Sequence, residues 1–408
     1  MTDLIDSREP TAAVQFPMTR TCPMHMPPQY AELRDEQPVA EATMRMTGAR
    51  ALLLTRHADV KKVLNDKAMS SDAKRPGYLH QIPIPEEIIQ FIKFPFVAMD
   101  APEHTARRRL VIPEFTAKRV QALRPRMQEI VDERIDAILA MDGPVDLVRE
   151  LAAPVPSLFF CELLGADPAD IDTFRRFAEV TTNRDAGPEE TNAVFAEMET
   201  FFGGLIRQKA ADPGDDLLSR LVARNEESEE KLDHDDLVAI ARTLIIAAFD
   251  ATTKMISLGA LTLLEHPEAV DEILRDPSST GKAVDELLRY LSVLDGSVRV
   301  PTEDVELSGV RIPAGQGVVA LNGAANWDPE VFPEPEKFDI HRDASEHLAF
   351  GSGAHQCLGA NLARVQLEII YSTLFTRIPT LKLAVPVDDL PFTEGGHVHG
   401  PYEVPVTW

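Results

Sequence analysis

Cysteine is scarce in this 408-residue chain: Cys22, Cys161 and Cys357 are the only three, and they lie far apart. An odd number at that spacing makes no disulfide framework and suits a reducing compartment. Positive charge is short as well. Against 66 acidic residues stand 41 Lys and Arg, a net charge of −25, and such a surface repels nucleic acid and anionic membranes while favouring solubility. The opening MTDLIDSREP has no basic stretch followed by an apolar run, so no secretory leader is expected. The longest apolar segment, around residues 237–249, is interrupted by Arg242 and is too short to cross a bilayer. No internal repeat and no low-complexity linker divides the chain. The expectation is a cytoplasmic protein with neither nucleic acid nor membrane among its partners.

What the chain does have is apolar content, 44% of its residues, enough for a substantial core. Residues 1–47 are rich in Pro and Met and read as irregular apart from a short helix near 28–34. RALLLT (50–55) has the unbroken apolar run of a buried strand. Between His57 and Leu291 the helical period dominates, with helices expected over 57–65, 147–164, 234–265 and 267–275 among others, and caps and prolines set the boundaries. Asp233 is placed to cap a helix over 234–265, and Pro267 to open the next one after His266. From Val298 onward short β-branched runs alternate with Ser-Gly and Pro-Ala-Gly turns, the pattern of hairpins. A Pro-rich acidic meander (326–339) follows, and a last long helix covers about 358–377. Strand–helix alternation is missing, so a parallel-sheet fold is excluded. The fold class is mainly α with a smaller β part, in a single structural unit spanning 1–408.

The most informative stretch is FGSGAHQCLG, residues 350–359. Gly351 and Gly353 permit a tight turn, Cys357 follows, and Gly359 opens a helix. A thiolate at a helix N-terminus sits in positive potential and can accept backbone N–H bonds, which suits a metal ligand. Zinc fits poorly, because His347 and His355 lack further partners at finger spacing. The string Phe-Gly-x-Gly-x-His-x-Cys-x-Gly, six fixed positions in ten, resembles the signature of the cytochrome P450 family in its soluble bacterial form. The resemblance implies the P450 fold and a heme b cofactor. It makes Cys357 the axial thiolate ligand of the iron, with Phe350 and His355 beside the cofactor. Other segments resemble the same family. Glu286 and Arg289 match its Glu-x-x-Arg pair, which in the family is buried behind the heme. APEHTARRRL (101–110) matches the helix whose His and Arg hold the propionates, which implies His104 and Arg108 here, and SVRVPTEDVEL (297–307) places Arg299 at a propionate. Trp327 stands in the meander where an arginine is commoner. Cys161 reads as core.

IIAAFDATTK (245–254) aligns with the family's dioxygen-facing motif, in which an acid and an alcohol relay protons. The acid is Asp250. Ala251 stands in place of the alcohol, and Ala248 in place of a usual glycine. Thr252 is one residue on, rotated by about 100° on a regular helix, so it serves only through a local bulge. Ordered water or a group on the substrate could supply the missing donor. Asp250 and Lys254 are spaced i, i+4, acid first, a favourable helix ion pair. The resemblance implies an oxidase that activates O2 with electrons from a ferredoxin and a flavoprotein ferredoxin reductase. Arg107–Arg109 and Arg364 are a candidate docking patch for that donor. The apolar segment 74–96, with Tyr78, Ile82, Ile84, Ile88, Ile89, Phe91 and Phe94, and the C-terminal turn, with Phe392, His397 and His399, are candidate contacts of a small, partly apolar substrate. Hydroxylation of a natural-product intermediate leads. Oxidative C–C or C–N coupling of aromatic substrates and non-catalytic heme binding or ligand sensing are the alternatives.

Overall fold

The helix over His234–Glu265 is the axis of the protein, and its sequence explains both its start and its burial. Asp233 caps it by accepting the Asp236 N–H at 2.8 Å, and the acidic residues 235 and 236 lie at the positive end of the helix dipole. Its C-terminal half, Thr253 to Leu263, is buried without interruption. By length and composition this helix could cross a membrane, but 67% of its most apolar window is buried inside the fold. Around it pack Pro154–Leu163, Pro188–Ala211, Thr280–Leu291 and Ala360–Arg377. The last of these also lies along Ala117–Leu139. The structure is a computed structural model and describes residues 14–182, 187–393 and 398–408.

Two helices meet at a point where only glycine fits. The fully buried Tyr371 sends its hydroxyl to the Met255 carbonyl, 2.6 Å away. A Cβ on Gly259 would lie 1.9 Å from that hydroxyl oxygen. Gly259→Ala is therefore expected to destabilise the protein by about 1–3 kcal/mol, the range for an overpacked core. Thermal melting checks this, and an unchanged melting temperature would mean that the two helices can separate at no cost.

The β part is a mixed six-stranded sheet at one end. Its order is Val14–Phe16, Val39–Met44, Arg50–Leu54, Val318–Ala320, Ser297–Pro301 and Met69–Ser70. Leu53 pairs with Val319 in parallel register, and Val319 with Val298 in antiparallel register. A separate hairpin, Val305–Leu307 with Val310–Ile312, turns through Ser308 and Gly309, both at positive φ (47° and 76°). That is the two-residue turn whose twist matches paired strands. A three-stranded sheet joins Lys382–Leu383, Pro405–Thr407 and Val145–Asp146.

The fold class expected from the sequence is the one observed, and the helices at 57–65, 234–265 and 267–275 have the expected bounds. Residues 14–47, the described part of the segment read as irregular, differ. They contribute two strands to the sheet, with Ala42 paired to Ala51 and to Val14, because Arg50–Leu54, outside the segment, orders Val39–Met44, which in turn pairs with Val14–Phe16. The expected helix over 147–164 is divided into a π-helical turn, Val148–Ala152, and a helix that begins at Pro154. Pro154 lacks the N–H that a continuous helix would need.

Candidate functional site

Arg289 and Glu286 form the buried frame behind the cysteine turn. Both side chains are 0% exposed. The pair is bidentate: Arg289 Nε donates to Glu286 Oε2 at 2.7 Å, and Nη2 donates to Oε1 at 2.8 Å. Nη1 of Arg289 also donates to the carbonyls of Asn326 and Pro335, each at 2.9 Å. Glu286 Oε1 accepts from Asp339 N and from Arg342 Nε, at 3.1 and 3.2 Å. Every strong donor and acceptor of the pair is used, the condition under which a buried ion pair is tolerated. Asn326 carries the connection onward, accepting the Leu348 N–H on its side-chain oxygen at 2.6 Å. Leu348 lies two residues before Phe350, where the cysteine turn starts.

The turn itself is held by the Cys357 N–H, which donates to the Phe350 carbonyl at 2.8 Å. Gly351 and Gly353 both have positive φ, 66° and 73°, a backbone that side-chain-bearing residues rarely adopt. The Phe350 ring carries the Arg364 guanidinium at 4.8 Å. Cys357 is accessible at its surface, yet enough protein surrounds it that desolvation pushes its thiol pKa up. Both hold for a sulfur that faces a cleft within the fold. The Gly359 N–H, Arg108 and Arg364 act in the opposite direction and favour the thiolate. Cys161, by contrast, is buried in the core, and burial raises its thiol pKa to about 11.

A second cluster adjoins the turn. The rings of His104 and His355 stack with centroids 4.0 Å apart. His104 is 3% exposed, and its Nε2 has no partner; neither does Nδ1 of His355. Arg299 is buried on its strand, and Nη1 reaches only the carbonyl of its neighbour Val298, at 2.8 Å. Burial first, then the positive charge of Arg299 and its neighbours, pushes His355 down to about 3. Burial and Arg108 likewise lower His104. The carboxylate within electrostatic reach of these groups is Asp100, itself engaged by the Ser70 hydroxyl and by the Ser71 N–H at 2.7 Å. Sequence reading passed over Asp100, which carries no motif. A cluster of buried cations and unpartnered imidazoles calls for further anions, and a cofactor with two carboxylates fits it. A polar-lined cavity of about 200 Å³ opens beside Arg299, between Ser71, Tyr78, Gln81 and Ser297.

Arg108 Nη2 donates to the Gln356 carbonyl at 2.6 Å and so braces the residue before Cys357. Among the described residues, no group of three His, Cys, Asp or Glu could hold a metal ion. The expected docking patch is partly neutralised. Arg107 pairs with Asp236 at 3.2 Å and Arg364 with Asp285 at 2.7 Å, while Arg109 stays exposed.

The long helix is open at its middle. Ile246 is 38% exposed and Ala247 is exposed as well, and Ala248, Asp250, Ala251 and Thr252 are half-buried. The opposite face, Ile245, Phe249, Thr253 and Lys254, is buried. Apolar side chains left open in the centre of a core helix mark a wall of a cleft. The helix is α-helical throughout, so no bulge turns Thr252 into the place of Ala251. Asp250 is desolvated, which raises its pKa, with Lys254 opposing. The expected i, i+4 ion pair is not closed: Lys254 Nζ donates instead to the Pro401 carbonyl at 2.8 Å.

Of the candidate substrate contacts, Ile82, Ile88 and Phe91 are exposed, Phe91 at 85%. Phe392 stacks on His399 at 5.7 Å, and His399 is fixed to the Pro23 carbonyl at 2.7 Å. His397 lies outside the described residues.

Comparison with known proteins agrees with this geometry. The family model described as Cytochrome P450 matches residues 279–389, which hold the Glu-x-x-Arg pair, the meander and the cysteine turn. Pentalenic acid synthase of Streptomyces avermitilis is 41% identical over 401 residues, covering 98% of each chain. Vitamin D3 dihydroxylase of Streptomyces griseolus is 39% identical and covers 100% of both chains. The crystal structure of cytochrome P450 MoxA from Nonomuraea recticatena superposes with a TM-score of 0.90 at 44% identity, over 97% of this chain and 98% of that one.

Proposed function

The chain belongs to the cytochrome P450 family and is a heme-dependent monooxygenase, and from that premise we propose that it hydroxylates a mid-sized, partly apolar natural-product intermediate. The accessible thiol of Cys357, beside the unpartnered imidazole nitrogens of His104 and His355 and the buried Arg299, carries this reading. On it, Cys357 would give its thiolate to the iron, with the Gly359 N–H, Arg108 and Arg364 favouring the ionised form against the desolvation that raises its pKa. His104, Arg108, Arg299 and His355 would hold the propionates, and Phe350 would sit beside the cofactor. When bound, heme b supplies reductive activation of dioxygen, and the thiolate donates electron density that favours O–O cleavage.

The chain's own residues supply substrate placement and protons. Ala247, Ala248 and Ala251 leave room on the open face of the long helix. Asp250, on the same face, takes protons from solvent and passes them inward through ordered water, since the unbroken helix turns Thr252 away from the place of Ala251. Electrons come from a ferredoxin reduced by a flavoprotein, with Arg108 and Arg109 on the docking face. The whole chain, 1–408, forms one domain and works in the cytoplasm. Two relatives are named for small molecules, pentalenic acid and vitamin D3, which supports a small-molecule substrate. Ala251 in an unbroken helix favours a second reading, oxidative C–C or C–N coupling, in which oxygen is not inserted.

Mass spectrometry under isotopically labelled dioxygen tests the choice. Hydroxylation adds one labelled oxygen to the product, whereas joined products that have lost hydrogen and carry no label support coupling. Ala251→Thr is expected to leave heme binding intact and to raise product formed per NADPH consumed about 2- to 10-fold, less than the about 10²- to 10⁴-fold of a general acid acting alone, because Asp250 already serves. Unchanged yield would show that the alcohol is supplied from elsewhere.

A further inference from the structure

Lys254 is 2% exposed, and among the described residues no carboxylate forms an ion pair with its ammonium group, which donates to a carbonyl instead. A buried lysine without an ion pair costs free energy, so its anchoring needs a reason. Nζ donates to the Pro401 carbonyl at 2.8 Å and lies 4.7 Å from the centre of the Tyr402 ring. The stem passes so close to Gly400 that a Cβ there would sit 2.6 Å from Lys254 Cδ. The side chain thus joins the long helix to the C-terminal segment and fixes the position of its charge. Asp250 lies one helical turn away, on the half-open side of the same helix. Asp146 on its strand is the other carboxylate acting on Lys254, and it is occupied by the N–H groups of Val148 and Val404 at 2.9 and 2.8 Å. His399 also faces Lys254 and is held neutral by burial, pushed down to about 3. Asp250 is therefore the acid whose charge Lys254 is free to support.

We propose that Lys254 is a positioning residue for the relay acid. Its anchored ammonium supplies the positive charge that lets Asp250 cycle between its protonated and ionised forms inside the fold. Without that charge, burial alone acts on Asp250, and the carboxyl stays protonated to higher pH. The inference rests on the reading of Asp250 as the relay acid.

The test compares holoenzyme with Lys254→Met, which keeps the stem and removes the charge. Infrared titration follows the protonated Asp250 carboxyl, identified as the band missing in Asp250→Asn. The band is expected to persist to higher pH in Lys254→Met, and the acidic limb of the turnover profile to move the same way. Lys254→Arg should return both toward wild type. Lys254→Gln retains a donor for Pro401 without the charge, and it gives the same titration if Lys254→Met does not fold. An Asp250 band that titrates at the wild-type pH in the neutral variants overturns the proposal. Asp250→Asn separately tests the underlying reading, which fails if that variant keeps the wild-type yield of product per NADPH.

Discussion

Arg289→Ala is expected to prevent accumulation of folded holoprotein. The substitution removes the bidentate partner of the fully buried Glu286 carboxylate, leaving it only Arg342 and the Asp339 N–H on Oε1, and it strips donors from the Asn326, Pro335 and Lys337 carbonyls. Breaking one side of a buried ion pair costs about 3–5 kcal/mol, a large part of the about 5–15 kcal/mol by which proteins are stable. The damage also reaches the cysteine turn, because Asn326 holds Leu348 in place. Arg289→Lys should be nearly as harmful, since an ammonium cannot reproduce the planar fork. Soluble yield, thermal melting and heme content of the purified variant check this. Normal heme content and an unchanged melting temperature would show that the meander is held by something other than this pair.

Cys357→Ser is expected to abolish turnover while leaving the fold largely intact. The side chain is accessible, so its replacement opens no core cavity. The hydroxyl retains the size of the thiol but neither its acidity nor its softness as a ligand. The loss should exceed about 100-fold, the upper end of what outer-shell substitutions around metal sites cost. Product formation with ferredoxin and reductase measures it. A Ser variant that keeps more than a tenth of wild-type turnover would remove Cys357 from the axial position.

Local signals in the chain were legible because local physics decides them. Asp233 caps its helix through the Asp236 N–H, and Ser308-Gly309 makes the hairpin turn that its dihedral angles require. The cysteine turn and the Glu286–Arg289 pair were legible for the same reason, since each is a short motif. Long-range partners were not. Val39–Met44 becomes a strand only because Arg50–Leu54 lies beside it and Val318–Ala320 extends the sheet. The i, i+4 spacing suggested that Lys254 pairs with Asp250, yet a carbonyl 147 residues away takes the proton donor. Arg364 looked free for docking in sequence and is tied to Asp285, which is 79 residues distant. The burial of Asp250 and the unpartnered nitrogens of His104 and His355 come from packing around a cleft, which no single segment encodes.

The ferrous–CO absorption spectrum of the purified holoprotein tests the central claim most directly. A thiolate from Cys357 predicts a strongly red-shifted Soret band, lost in Cys357→Ser. A band at the unshifted position of a nitrogen-ligated heme in the wild-type protein, unaltered by that substitution, would contradict it.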